Sequence, residues 1–570
     1  MADHLPNVLR WAGTYLTGRE IWGKATSAEE IHASLADMSV YDVLALVGSM
    51  SASLVIESDA TSAEAQAELA SYLAIEDESL VANLAQGLSR GQVLIHTQQL
   101  YHLARLAVLC ADSRDADALG EGELLASFHK VLFGIGDLMS SKITGNPDII
   151  SLELRLTALN HDEERLGQWS FYHELFDRIW PTVGGAPDAD QAFAKFTGLS
   201  IAEYLALGFA VSAGLTRKIN GRPVAHLAID NWLAKIPMEE KKREAFLAAT
   251  GGTVDELRAA LRAEQESHGA TTYASLSIEK RPLVRRDEQL YVSNFAAYER
   301  RATHGIFHLL SEGSEKEGLS RETYTAPFGA AFQIWVENAL RRVEESSAGV
   351  EIFADVPYGT KKEPRDTSDV VLVYERNIIA VEVVAGALRI GSLTHGDLEM
   401  FTLDLEKFVF KKARQLTKRI ADMRAGLTEK IGIRVGPVST IWPVIVTSAP
   451  FPVRPAIMES IRGELKTKGL LQQKGTGTIS IVGAEELAGL EGYLAATGET
   501  ALDVIRGWKA KARTGDMYLK NYLFERFGGP IPRSAHFEEM FDELSERSHS
   551  LLFGAAGQDV DDPTLRESPL

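Results

Sequence analysis

The sequence predicts a multidomain α+β protein, in which a large all-α N-terminal region is followed by an α/β domain and then by C-terminal helices. At 570 residues the chain is too long for one ordinary hydrophobic core. Helix-start signals fill the first half, whereas short apolar runs alternate with helical patterns between residues 350 and 482. With 45% hydrophobic and 24% charged residues, the composition is that of a globular protein throughout.

Residues 1–270 are expected to form helices. Ser27 and Ser200 are each followed three residues later by a glutamate, which is the spacing of a capping box at the start of a helix. No repeat of fixed period indicates a solenoid. The turn-rich segment 182–188 could divide this region into two subdomains.

Residues 271–320 are predicted to connect the two halves of the chain. Two short apolar runs, 276–284 and 289–292, are typical of strands joined by a polar turn. A helix is expected over 294–310. The following loop, 311–320, is rich in Gly, Ser, Glu and Lys and marks a domain boundary.

Residues 321–490 are predicted to form the α/β domain, because strands and helices alternate there. Residues 491–570 return to helices and end in an acidic tail, from residue 558 onward, that is expected to be disordered. The elements predicted for the α/β domain are a helix over 330–345, strands over 350–356, 369–374 and 378–384, a helix over 404–423, a strand over 440–447, a helix over 453–468 and a strand over 478–482.

The charge and the termini limit the classes of partner. A formal net charge of −20 weighs against general affinity for nucleic acid, so any contact with phosphate must come from a local basic patch. The N-terminus lacks the pattern of a signal peptide, and no apolar stretch is long enough to cross a bilayer. We therefore expect a cytoplasmic protein without a membrane partner.

Two carboxylates form the strongest candidate for a chemical site. Asp369 begins one apolar strand, Glu382 lies inside the next, and residues 376–377 between them suit a hairpin turn. Adjacent antiparallel strands would bring the two side chains together at one end of the sheet. Two carboxylates that share a site either bind a cation or hold a proton. Oxygen ligands of this kind suit Mg²⁺ or Mn²⁺.

The ordered set of elements, with Asp369 before one strand and Glu382 in the next, resembles the PD-(D/E)xK nucleases, the restriction-endonuclease-like superfamily. The resemblance covers roughly residues 328 to 485. It implies that Asp369 and Glu382 are metal ligands and that Glu337 is an accessory carboxylate. Gln415 resembles a helix glutamine of some branches, which a basic or aromatic residue follows four positions later. The implied activity is metal-dependent cleavage of nucleic acid, in DNA repair or in defence against foreign DNA.

The sequence departs from this family at Val384, where the motif has a lysine that polarises water and neutralises charge on the phosphate. Either another cation substitutes for it or cleavage is lost. Lys407 and Lys411, on the helix after the motif, are predicted as catalytic substitutes, although no spacing singles them out. The full set of candidate lysines is Lys361, Lys362, Lys407, Lys411 and Lys412.

The same helix carries a concentration of positive charge. Six Lys or Arg residues and no acid occur between Lys407 and Arg419. Apolar residues recur there at helical spacing, so one face can pack on the sheet while the other meets phosphate. The alternative is an ordinary solvated helix face. The residues predicted to bind nucleic acid, expected to be DNA, are Lys411, Lys412, Arg414, Gln415, Lys418 and Arg419.

The sequence leaves two rival functions open. The site could bind nucleic acid without cutting it. Alternatively, the chain could be a helical scaffold subunit that binds a protein partner through its N-terminal region, with a purely structural α/β domain. His304, His308 and Glu312 have the spacing of a zinc site on one helical face, but a structural role is favoured because no further ligand is evident.

Overall fold

The computed structural model of the chain has an α+β architecture, as predicted, with helices around small sheets of five, four and two strands. Its five-stranded sheet carries the two candidate carboxylates. The structure describes residues 16–56, 66, 69–70, 78–90, 92–113, 121–143, 149–157, 165–219, 222–224, 226–234, 236–268, 275–345, 349–375, 377–386, 388–394, 396–436, 438–511 and 517–553. The predicted acidic tail lies outside these ranges.

Helices fill most of the N-terminal region, and the predicted capping boxes form. The hydroxyls of Ser27 and Ser200 accept the backbone N–H of Glu30 at 3.2 Å and of Glu203 at 3.1 Å. The helices are Gly18–Trp22, Ala28–Ala36, Val40–Ile56, Glu78–Ser89, Thr97–Cys110, Glu121–Ile143, Ile149–Thr157, Arg165–His173, Ala189–Thr197, Ile201–Thr216, Ile229–Trp232, Glu240–Thr250 and Val254–His268, with a π-helical turn at Glu174–Ile179 and a 3-10 turn at Trp180–Thr182.

The N-terminal region also contains short strands, so the prediction that it is all-α is wrong. Strands β3 and β4 flank the β5–β6 hairpin in a sheet of order β3-β6-β5-β4. A lone hairpin is marginally stable, and these partners satisfy its edges. Strands of two or three residues are too short to show an alternating pattern. The strands are β1 (Lys218–Ile219), β2 (Arg222–Pro223), β3 (His226–Ala228), β4 (Gly251–Thr253), β5 (Leu283–Arg286) and β6 (Gln289–Val292).

The first half of the strand predicted over 276–284 is instead a helix, Leu276–Lys280. The backbone N–H groups of Leu276 and Ser277 donate to the carboxylate of Glu264 at 2.9 and 3.0 Å. Because Glu264 comes from the preceding helix, this cap is a tertiary contact that no local pattern predicts.

The predicted loop over 311–320 is also mostly helical. A Cβ atom at Gly313 would lie only 2.2 Å from the ring of Phe196, so glycine allows the two helices to approach closely. Small residues here mark close packing and not a loop. The helix predicted over 294–310 is interrupted at residues 303–304. The two helices of this segment are Phe295–Ala302 and Gly305–Lys316.

A five-stranded mixed sheet, of order β11-β10-β9-β8-β7, forms where the α/β domain was predicted. Strands β7, β8 and β9 are antiparallel neighbours, whereas β9, β10 and β11 are parallel. All five predicted strands are therefore confirmed, with ends shifted by at most two residues. They are β7 (Val350–Ala354), β8 (Val370–Tyr374), β9 (Asn377–Val384), β10 (Thr440–Thr447) and β11 (Ser480–Gly483).

Helices cover both faces of this sheet. The helix Glu322–Glu345, which begins eight residues earlier than predicted, packs on one face, and the helix Lys411–Arg424, here called the site helix, packs on the other. A π-helical turn, Glu406–Phe410, leads directly into the site helix. The alternating residues of β9 follow this division, with Ile379, Val381 and Val383 in one apolar cluster and Ile378, Ala380 and Val384 in the other. The remaining helices of this part are Ile390–Thr394, Leu398–Leu405, Glu429–Ile431 and Pro455–Thr467.

C-terminal helices complete the fold, and one hydrophobic cluster extends from the N-terminal helices through this sheet to Leu552. The buried carboxylate of Glu174 joins these parts, because it accepts hydrogen bonds from Trp335 at 2.8 Å and pairs with His536 at 3.0 Å. By length and apolarity, no single helix in the described ranges could span a membrane; one helix pair, Ala189–Thr197 with Ile201–Thr216, passes only when combined and is bent by 64°. The C-terminal helices are Ala484–Thr497, Ala501–Lys511, Leu519–Phe527 and Ala535–Phe553.

Candidate active site

The hairpin of β8 and β9 brings the two candidate carboxylates together. Val370 pairs with Val381 across the hairpin, so Asp369 and Glu382 occupy the next position on the two strands. Oδ2 of Asp369 also accepts the backbone N–H of Val383 at 2.6 Å, which fixes its orientation. A hydrogen bond from a backbone amide to an ionised oxygen is strong.

Lys412, from the site helix, lies between these carboxylates. Its Nζ atom is 3.2 Å from Oδ2 of Asp369 and 3.0 Å from Oε2 of Glu382. Only 17% of the Lys412 side chain and 2% of the Glu382 side chain is exposed. The three side chains therefore form a largely desolvated cluster, in which each charge depends on the others.

Glu382 is the member of this cluster whose protonation changes near neutral pH. Burial, followed by the negative charge of Asp369, raises the pKa of Glu382 to about 7, although the Lys412 ammonium acts in the opposite direction. Burial alone would lower the pKa of Lys412, but the two carboxylates raise it above its ordinary value. A perturbed carboxyl beside a specific charge partner is typical of functional sites.

The lysines predicted to act in catalysis lie elsewhere. Lys407 is exposed and rests over the ring of Phe408 at 5.1 Å, and Lys411 is exposed on the outer face of the site helix. The structure therefore does not bring Lys407 or Lys411 to the carboxylates. Lys412 contacts them instead. Lys361 and Lys362 are exposed in the loop before β8.

Val384, the position that the family motif gives to lysine, points into an apolar environment. It is 8% exposed and belongs to the cluster that contains Leu388 and Phe408. A charge at this position would be expensive to bury. The positive charge of the site comes instead from the helix that packs on this face of the sheet.

Two more residues of the site helix share the face of Lys412. Gln415 and Arg419 follow it by three and seven residues, which places all three side chains on one side of the helix. Nε of Arg419 donates to the carbonyl oxygen of Thr367 at 3.2 Å, two residues before Asp369. Oε1 of Gln415 is buried and has no hydrogen-bond partner within the described ranges.

Asp355, at the end of β7, is a neighbouring carboxylate that sequence reasoning missed. Its backbone N–H donates to the carbonyl oxygen of Asp369 at 3.3 Å. Its side chain accepts a hydrogen bond from Nε2 of Gln333 at 3.0 Å. Burial, and to a lesser degree the charge of Asp369, raises its pKa, although the Gln333 contact opposes this. Its left-handed φ of 48° is unusual for a residue other than glycine and was invisible in the sequence.

Glu337, the predicted accessory carboxylate, is not brought to this site by any contact. It pairs with Arg341 of its own helix at 2.7 Å. Gln333, one turn earlier, is the residue of this helix that reaches the Asp355 side chain. The sequence does not show which turn of this helix lies beside Asp355, because the phase of a helix against a sheet depends on tertiary packing.

The paired carboxylates fit a hard divalent cation. Mg²⁺ usually keeps several waters and is held by one or two carboxylates together with substrate phosphates, so two carboxylates are sufficient. Within the described ranges, no cluster of three or more His, Cys, Asp or Glu side chains is arranged to hold a metal. His304, His308 and Glu312 do not form such a cluster in this part of the chain, and Glu312 pairs with Lys280 at 2.8 Å.

Comparison with known proteins identifies no relative of this chain. No protein-family model, curated protein or solved structure matches it.

Proposed function

We propose that the chain cleaves phosphodiester bonds of nucleic acid, with the help of a divalent metal, at a restriction-endonuclease-like site formed by Asp369, Glu382 and Lys412. The observation that carries the proposal is the contact of the Lys412 ammonium with both carboxylates, at 3.2 and 3.0 Å. The PD-(D/E)xK motif requires a lysine at this pair, and the site helix can supply it in place of Val384. The order of helix, three strands, helix and strand supports the same assignment.

Each residue of the site has a defined task in this proposal. Asp369 and Glu382 would hold Mg²⁺ or Mn²⁺, and the ion, when bound, would supply Lewis-acid activation of water and of the phosphate. The Lys412 ammonium would offset negative charge that develops on the phosphate oxygens. Its contacts with both carboxylates keep the ammonium at the site before the ion binds.

Glu382 must lose its proton before the carboxylate can hold a cation, so metal binding is expected to depend on pH. Since the pKa of Glu382 is about 7, affinity for Mn²⁺ should rise about tenfold per pH unit below pH 7 and level off above it. Calorimetry in buffers of different ionisation enthalpy should show about one proton released at pH 6 and almost none at pH 8.5. Equal proton release at both pH values would contradict the assignment.

Four exposed cations of the π-helical turn and the site helix support nucleic acid as the substrate. They follow one another at intervals of four, three and four residues and so form a stripe along one helical face. Within the described ranges only Arg414 has a carboxylate partner, Glu406. Phosphate contacts of this kind are not sequence-specific. This basic stripe consists of Lys407, Lys411, Arg414 and Lys418.

Removal of charge from the basic stripe is expected to weaken DNA binding and its salt dependence together. In the double variant Lys411→Ala/Lys418→Ala, the slope of log K against log salt should fall by about 1.8, because each lost phosphate contact removes about 0.9. Titration of a labelled duplex in EDTA at several salt concentrations measures this. The matched control, Lys130→Ala/Lys241→Ala, changes two exposed lysines elsewhere and should leave the slope unchanged.

A second candidate function, binding without cleavage, is favoured by the same contact. The Lys412 ammonium already neutralises Asp369 and Glu382, as a bound cation would. If it cannot be displaced from between them, the site would hold nucleic acid without admitting a metal. The scaffold alternative gains no specific contact from the described residues.

Plasmid nicking tests the proposal directly. The full chain should nick supercoiled DNA when Mg²⁺ or Mn²⁺ is added and stop when EDTA is added. Nicking should be lost in Asp369→Asn and retained in Glu351→Gln, which changes an exposed carboxylate on β7. Metal-dependent nicking that survives in Asp369→Asn would overturn the assignment. Salt-sensitive DNA binding without any nicking would favour the second candidate. A role in DNA repair or in defence against foreign DNA rests on the family analogy alone.

A further inference from the structure

A cavity of about 1000 Å³ lies away from the carboxylate pair, between the helical region and the five-stranded sheet. Asp369, Glu382 and Lys412 do not line it. Its floor includes Ala385 and Ser448, which directly follow the parallel strands β9 and β10, together with Gly483, the last residue of β11. The carboxyl ends of parallel strands are where open α/β sheets bind ligands, and the volume suits a small molecule.

Several aromatic side chains line the cavity. Rings of this type bind flat conjugated groups, including nucleobases, by stacking. The lining therefore favours a ligand with a planar aromatic part over a purely polar one. The aromatic residues include Phe171, Phe307, Phe328, Trp335, Phe408 and Phe451.

Uncharged polar groups also line the cavity. Burial lowers the pKa of His304 to about 3 and that of His308 to about 4. Both rings are therefore neutral at pH 7. Nδ1 of His304 is already hydrogen-bonded to the hydroxyl of Tyr172, so His308 is the ring that offers both a donor and an acceptor. Groups of this kind match the edge of a nucleobase better than an anion.

Two cations at the cavity are available for a phosphate. Lys407 and Arg321 are exposed, and neither pairs with a carboxylate of the described chain. Several other cations of the wall are already neutralised, as Arg300 is by Glu279 at 2.6 Å. A phosphate would form charge-assisted hydrogen bonds with the unpaired groups.

We propose that this cavity binds a nucleoside phosphate, with its base against the aromatic wall and the polar edge of His308, and with its phosphate at Arg321 or Lys407. Lys407 is also the first residue of the basic stripe. The ligand therefore has two sources, a free nucleotide or the terminal nucleotide of a strand that follows the stripe. The chemistry recognised is the same in both cases.

Calorimetry on the full chain, in EDTA to prevent cleavage, tests this proposal. Probes are ADP and GDP, adenosine and pyrophosphate as the separate halves, and a 5′-phosphorylated single-stranded hexanucleotide. At least one diphosphate or the hexanucleotide should bind at least about tenfold more tightly than adenosine or pyrophosphate, because the base and phosphate contacts act together. Tighter binding of the hexanucleotide than of either diphosphate identifies a strand end, and the reverse identifies a free nucleotide. No binding of any probe, or equal binding of a half, overturns the proposal.

Two variants locate the binding. Arg321→Ala removes an exposed side chain and should weaken the phosphate-bearing ligand about tenfold without affecting folding. His308→Phe keeps a ring but removes both polar edges, and it should weaken the same ligand while leaving pyrophosphate unchanged. Arg90→Ala, an exposed arginine outside the cavity, is the matched control. If the Arg321→Ala and His308→Phe proteins both fold and both bind the ligand with wild-type affinity, the cavity is not the binding site. That result would leave the cleavage proposal untouched, because it is tested at Asp369.

Discussion

Replacement of Lys412 by methionine is expected to slow phosphodiester cleavage by at least about a hundredfold, the range lost when a preorganised charge-stabilising group is removed. Methionine keeps the length of the apolar stem but cannot contact the phosphate or the carboxylates. DNA affinity should change much less, because the basic stripe lies on a different face of the helix. Single-turnover cleavage with saturating protein separates the chemical step from binding.

Lys407→Met is the matched control, because Lys407 precedes the site helix and has no contact with Asp369 or Glu382 in the described structure. Its cleavage rate at saturation should stay within about threefold of wild type, within the usual scatter for a group that makes no transition-state contact. A normal cleavage rate in Lys412→Met together with a large loss in Lys407→Met would show that Lys407, which the sequence suggested, is the catalytic lysine.

The carboxylate pair could be predicted from the sequence because it is local. Asp369 and Glu382 belong to one hairpin, and the register of a short hairpin follows from its turn and its alternating apolar residues. The same local signals predicted the five strands of the sheet. The strand partners β3 and β4 were missed because they are short and distant along the chain from the hairpin that they complete.

The lysine could not be chosen by spacing alone, because its position depends on the phase of the helix against the sheet. The π-helical turn at Glu406–Phe410 shifts that phase, and such turns are frequent at functional sites. One signal was nevertheless present in the sequence. Lys412 falls on the stripe that Val409 and Leu416 continue, so it is a cation on the side of the helix that packs on the sheet. Lys407 and Lys411 fall on the exposed side.

Loss of Lys412 should also destabilise the fold, and the size of the effect should depend on pH. Removal of one partner from a buried ion pair typically costs about 3–5 kcal/mol, because the other charge stays buried. Here Glu382 can take up a proton instead, since burial and Asp369 already raise its pKa. A carboxyl whose folded pKa lies above its unfolded value favours the folded state at low pH, and this contribution is lost as pH rises through the folded pKa. Lys412→Met should therefore lose little stability at pH 6 and several kcal/mol at pH 9.

Urea unfolding of wild type, Lys412→Met and the double variant Lys412→Met/Glu382→Gln across this pH range measures the effect. The glutamine cannot ionise, so the double variant should recover most of the stability lost at pH 9 and show a flatter pH dependence than Lys412→Met. An equal loss in both variants at every pH would mean that Lys412 contributes through the packing of its stem and not through its charge. In that case the ammonium would not be held by the carboxylates strongly enough to be preorganised for catalysis. The unfolding experiment therefore also tests the physical basis of the cleavage proposal, and it does so without a substrate.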